Sequence, residues 1–145
     1  DPTFARPVVK VSRAVTQSIG HNTPTAVEWQ STLFDTHSMF NLGLPTRLTI
    51  PISGLYLMGA WYQWVLEGAD DPREVYFRLN GTQELDRQGA LSSLAVDVNS
   101  NHVYSWYFNA GDYVELIAFQ TSGGLLALGA SHFPVMWMMY TGKKV

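Results

Sequence analysis

The side chains able to do acid–base or metal chemistry are few and widely spaced. The four histidines, His21, His37, His102 and His132, fall in no HExxH or comparable zinc pattern. The sharpest pairing is Asp35-Thr36-His37, where a carboxylate and an imidazole two residues apart could serve as ligands or as an acid–base couple. The same aspartate can instead organise an Asx-type turn, and that is the reading preferred. Glu67, Asp70 and Asp71 offer oxygen ligands for calcium but lack the DxDxDG spacing of a calcium loop, so a solvated acidic loop is expected. No serine lies in GxSxG or SxxK, and neither GxGxxG nor GxxxxGK[ST] occurs. Gly123-Gly124 reads as a hairpin turn, and the absence of cysteine removes thiolate chemistry and disulfides. No catalytic residue, metal or cofactor is assigned, and the chain is not expected to be an enzyme.

Composition points to association. Charged residues are 14% of the 145, where soluble domains average about 25%. Aromatics reach 13%, and the hydrophobic fraction of 46% suffices for one core. Interfaces are depleted in charge and enriched in aromatic rings and methionine, so an obligate oligomer is expected. A net charge of −3 with scattered basic residues argues against nucleic acid. No apolar run approaches the ~18 residues of a membrane span, and the opening DPTFARP does not read as a secretory signal, so no membrane partner is expected. Trp61, Trp64, Trp106, Tyr107 and Trp137 could stack on sugars, but core and subunit interface are their simpler roles.

The elements that must position these residues are strands. Val9, Val11 and Val15 alternate with Lys10 and Ser12 behind Pro7, and Ala26 to Gln30 alternates briefly. Arg47 to Pro51 is a short strand, and Gly54 to Val65 is the longest apolar run, with aromatics on both faces. Glu74 to Asn80 sets Val75, Phe77 and Leu79 against Glu74, Tyr76 and Arg78. Asn80-Gly81 then signals a type I′ hairpin, and this reading is taken over the glycosylation sequon formed with Thr82. Residues 87–101 are weakly patterned. His102–Phe108 and Tyr113–Gln120 are strands joined by Asn109-Ala110-Gly111-Asp112, Leu125–Leu128 follows a turn, and Ser131–Tyr140 closes the chain. Eight to ten short strands at this spacing predict an all-β antiparallel sandwich or jelly roll.

Two stretches resemble the globular head of the complement C1q and tumour-necrosis-factor superfamily. In the first, Phe34 to Phe40 is followed by RLTIPISGLYLMGAWYQW, where Leu48, Gly54 and Tyr56 stand in the places of the F-x5-G-x-Y signature. In the second, Asn80-Gly81 is followed by NAGDYVEL, whose Gly111, Asp112, Val114 and Leu116 match L-x-x-G-D-x-V-x-L. Ser131 to Met139 is similar to the closing strand. Leu48 replaces the usual phenylalanine, Pro134-Val135 stands where Ser-Gly is common, and the collagen stalk of animal relatives is missing.

The resemblance implies a ten-stranded jelly roll over residues 8–145, forming a tight homotrimer. Tyr56, Met58, Trp61, Trp64, Trp106, Tyr113, Phe119 and Trp137 are assigned to its interface or core, and Gly54, Asn80, Gly81, Gly111 and Asp112 to structural turns. Stalkless modules of this type look like parts of bacteriophage particles. The expected role is therefore a structural protein of the virion surface, decorating or cementing a capsid. The arm Asp1-Pro2-Thr3-Phe4-Ala5-Arg6-Pro7 would lie on the shell. The alternative is an extracellular head that binds a receptor or glycan through loops such as Glu67–Arg73 and Asn99–Asn101.

Overall fold

The computed structural model describes residues 6–65, 72–91, 98–129 and 134–143, and these form strands and connections without a helix. Twelve strands run in chain order: β1 (Val8–Ser12), β2 (Gln17–Ile19), β3 (Thr25–Ala26), β4 (Ser31–Asp35), β5 (Leu48–Thr49), β6 (Gly54–Trp64), β7 (Pro72–Leu79), β8 (Gln83–Leu91), β9 (Val98–Phe108), β10 (Tyr113–Gln120), β11 (Leu126–Leu128) and β12 (Val135–Gly142). The count exceeds ten because β3 and β5 are two-residue pieces, each paired to β10.

Two antiparallel sheets face each other. The first, of seven strands, is built on β6, which pairs along its whole length with β9 and on its other side with β12, followed outward by β1 and the edge strand β4. The second, of five strands, centres on β10 and β7 with β8 at its edge. The alternation read from sequence places the inner faces. Tyr56, Met58, Ala60, Tyr62 and Trp64 of β6 point inward, with Val9 and Val11 of β1 and Met136 and Met138 of β12. From the second sheet Val75, Phe77, Leu79, Val114, Leu116 and Ala118 meet them. Period-2 patterning thus becomes one continuous core.

The β7–β8 hairpin is closed as expected. Asn80 and Gly81 both have positive φ, 50° and 76°, as a type I′ turn requires. Asn80 also latches the neighbouring turn: its Nδ2 donates to Asp112 Oδ1 at 2.9 Å and its Oδ1 accepts from Tyr113 N at 2.9 Å. Asp112 Oδ2 accepts in turn from Asn109 N, and Gly111 sits at φ 92°. Gly54 is needed for a different reason from the tight turn its position suggests. It opens β6, and a Cβ there would lie 2.3 Å from the Tyr140 ring and 2.6 Å from the Gly142 carbonyl. Close approach of β12 selects this glycine.

Some patterned stretches stay outside strands. Val15 is exposed beyond the end of β1, and Val27 and Trp29 are buried while their backbone bonds to Leu116 and Pro45 carbonyls in irregular geometry. Residues 131–133, at the start of the expected last strand, lie outside the described residues.

Candidate functional site

Asp35, at the end of β4, spends its carboxylate on backbone. Oδ1 accepts from Met39 N and Oδ2 from Phe40 N, both at 2.9 Å, closing a turn in which Ser38 takes φ 53°. The His37 ring meets Thr36 Oγ1 through Nδ1 at 2.9 Å. Asp35 and His37 therefore make no mutual contact of the kind an acid–base couple uses. His21 Nδ1 accepts from Gly123 N at 2.9 Å, tying the β10–β11 turn. Among the described residues no group of three or more His, Cys, Asp or Glu converges on a metal position. His132, Glu67, Asp70 and Asp71 lie outside those residues, as does most of the acidic loop.

His102 was grouped with the dispersed histidines, but its place is specific. It is fully buried on the inner side of β9, 4.6 Å from the Phe77 ring, and its Nε2 meets Asp86 Oδ2 at 2.9 Å. Asp86 reaches it from a β-bulge in β8, where Asp86 and Arg87 together oppose Tyr76, and it holds a left-handed φ of 49°. The pair clasps one sheet to the other. Sequence gave no sign of the bulge, because β8 carries no clean alternation.

The outer faces of the two sheets differ in kind. On the five-stranded sheet, rings and charges cover one another. Arg87 lies 4.2 Å over the Tyr76 ring and pairs with Glu84 and Glu74. Arg78 pairs with Glu115 at 3.1 Å, Thr46 donates to the same carboxylate at 2.6 Å, and Arg47 sits 4.0 Å over the Tyr113 ring. Bonding to Arg87 lowers Glu84 from its ordinary carboxylate range, and the same bond, with Glu74, raises the arginine.

The seven-stranded sheet turns Leu55, Leu57 and Trp61 outward from β6, Val103 and Tyr107 from β9 with the uncharged polar Asn101 and Ser105 between and beside them, and Val135, Trp137 and Met139 from β12. Leu55, Val103, Tyr107 and Met139 are each more than 40% exposed. Lys10, with Phe34 beside it on β4, is the one charged side chain that the described part of these strands turns outward. Trp137 lies flat across Gly59, where a Cβ would meet its ring at 2.5 Å. This glycine is a second close approach that the sequence did not flag.

The expected interface-or-core residues divide accordingly. Tyr56, Met58 and Trp64 are core, and Tyr56 donates to the Ile52 carbonyl at 2.8 Å while burial pushes its hydroxyl up to about 12. Trp106 is half-buried, stacked on Tyr104 and packed against that core. Trp61 and Trp137 are on the apolar outer face. Tyr113 and Phe119 are on the opposite, charge-covered face. Of the arm, Arg6 and Pro7 are described: Arg6 O accepts from Thr36 Oγ1 at 3.2 Å, and Pro7 O from Tyr140 N at 2.9 Å.

Sheet order, hairpin and inner faces define the chain as a jelly roll of the C1q and tumour-necrosis-factor type. The globular domain of zebrafish complement 1qA superposes with a TM-score of 0.73 at 15% identity, over 95% of this chain and 99% of that one. Murine APRIL gives 0.69 at 12% identity over 94% and 99% of the two chains. The Eiger TNF of S. frugiperda gives 0.63 at 12% over 97% and 95%. No family model and no curated protein sequence matches the chain.

Proposed function

We propose that this chain is a homotrimeric, non-enzymatic head that serves as a structural protein on a bacteriophage particle, decorating or cementing the capsid. The observation that supports self-association is the largely apolar outer face of the seven-stranded sheet, which exposes Leu55, Val103, Tyr107 and Met139 and carries Lys10 as the single outward charge among the described residues of its strands. Contiguous apolar surface of this kind marks an interface. The likeness in fold to the C1q and tumour-necrosis-factor heads supports closing that interface around a three-fold axis.

In the decoration reading, three arms add their footprints on the shell through avidity. Arg6 and Pro7, held by Thr36 just past β4 and by Tyr140 of β12, anchor each arm to the sheet that carries the interface. The alternative, a receptor- or glycan-binding extracellular head, is favoured by a polar cleft beside β4 described below.

Light scattering on the full chain and on a variant lacking Asp1–Ala5, each with and without purified empty capsids, tests the proposal. A three-chain mass, with shell binding that needs the arm, is the expected result. A monomer at micromolar concentration overturns the trimer, and a trimer that ignores shells overturns the decoration role.

A further inference from the structure

An open cleft of about 750 Å³ lies against β4 and the turn it leads into. Its wall carries two side-chain amides whose orientation is fixed. Gln30 Oε1 accepts from Ala14 N at 2.7 Å, and Asn41 Oδ1 accepts from Gly43 N at 2.8 Å. A backbone N–H can only donate, so in each case the bond identifies the oxygen and leaves the NH2 group as the donor of a residue that lines the cleft. No partner is seen for either nitrogen among the described residues.

Thr32 and Ser38 add hydroxyls, and Phe40 and the 69%-exposed Leu42 supply an apolar wall. The one carboxylate, Asp35, is already bonded to two backbone amides, and no lysine or arginine lines the cleft. Six of the eight lining residues are polar, Phe40 and Leu42 being the apolar part, and the size falls within the usual range of about 300–1,000 Å³ for a small-ligand site.

We infer that this cleft is a binding subsite for a neutral carbohydrate. Sugar hydroxyls match the paired amide donors and the hydroxyls, and the C–H face of a pyranose matches Phe40 and Leu42. An anionic ligand would meet an aspartate and no cation. A peptide strand adding to the β4 edge would meet the register irregularity opposite Lys10 and Val11, which interrupts regular pairing. The inference stands apart from the capsid reading, and it locates the alternative reading away from the loops expected from sequence.

The test is a two-dimensional amide NMR titration of the labelled full chain with methyl glycosides of glucose, galactose, mannose and N-acetylglucosamine, with sialic acid and an extended Val/Thr peptide as comparators. Mass is measured on the same samples, so a failed trimer leaves this result readable. The expected result is saturable shifts of the Gln30 and Asn41 side-chain NH2 signals with at least one neutral glycoside, at millimolar Kd. Gln30→Glu and Asn41→Asp keep the oxygen that each backbone N–H needs and remove the donor. Each should weaken binding about 5- to 10-fold, one hydrogen bond's worth. Leu125→Ala, at a distant exposed turn, should leave it unchanged. No saturable shift with any neutral glycoside, undiminished binding in both variants, or preference for sialic acid or the peptide overturns the inference.

Discussion

Replacing Gly54 by alanine adds one methyl group, and the structure says where it goes. The new Cβ would lie 2.3 Å from Tyr140 Cε2, 3.2 Å from Cδ2 and 2.6 Å from the Gly142 carbonyl oxygen. A ring alone could swing aside, but the carbonyl belongs to β12 and can move only with its strand. Tyr140 is also held edge-on to Tyr56, with centroids 5.4 Å apart. Overpacking of this sort costs about 1–3 kcal/mol, and loss of the aromatic pair adds about 0.5–1.5 kcal/mol. The expected destabilisation is therefore about 1.5–4.5 kcal/mol. Gly59→Ala is the informative comparison. All three close contacts there are to the Trp137 side chain and none to backbone, so the cost should be smaller, about 1 kcal/mol. Gly124→Ala meets open space and should stay within about 0.5 kcal/mol of wild type. Urea unfolding at one fixed protein concentration separates the three, since a slope of about 2 kcal/mol/M turns the Gly54 cost into a midpoint shift of about 1–2 M. A Gly54→Ala midpoint equal to wild type, or a Gly59→Ala loss exceeding it, would refute the close-approach argument.

Asn80→Ala removes both arms of the latch to Asp112 and Tyr113 and leaves a non-glycine residue at positive φ, so a loss of about 2 kcal/mol is expected in urea unfolding, less for Asn80→Gly. Tyr56 gives a pH signature. Its hydroxyl stays neutral in the fold up to about 12 while the unfolded chain ionises near 10, so its contribution is full below pH 10 and is lost as pH rises through 12. Tyr56→Phe should flatten that alkaline decline in a pH series of thermal melts. Asp86→Ala strands His102 in the core and should cost about 1–3 kcal/mol by the same unfolding assay, with Asp86→Asn retaining most of the bond. Val103→Glu with Met139→Glu places charge on the apolar outer face, and light scattering should show a folded monomer, because both side chains are more than 40% exposed within one chain.

Strands with one buried face were legible, and the others were not. In β6 and β10 the alternation Tyr56-Met58-Ala60 and Val114-Leu116-Ala118 records a core on one side, and Asn80-Gly81 fixes the hairpin before β8. By contrast β4 carries no strand signal, because the edge strand Ser31–Asp35 exposes four of its five residues and so has no period. Its cleft was hidden with it. Alternation also shows that Trp61 and Trp64 face opposite ways without telling which is core, and burial decides for Trp64. The bulge at Asp86 depends on a register slip between two strands, a property of the pairing that no single stretch of residues displays.

The low charge content now has a location. The five-stranded sheet covers its outer rings by itself, with Arg87 over Tyr76 and Arg47 over Tyr113 and carboxylates closing the network, so little of that face needs a partner. The seven-stranded sheet has no such cover among its described residues: Lys10 is its one outward charge against leucine, valine, methionine and aromatic side chains, with Asn101 and Ser105 as uncharged polar neighbours. Two faces of one sandwich, made from the same pool of residues, were thus given opposite solvation. A monomer gains nothing from that division, since it leaves apolar area in water at about 25 cal/mol per Å². An assembly that closes over one sheet and leaves the other in solvent gains from both halves of it, and the same division predicts that charge introduced on the outer side of β12 changes the mass while charge removed from the outer side of β7 and β8 leaves it unchanged.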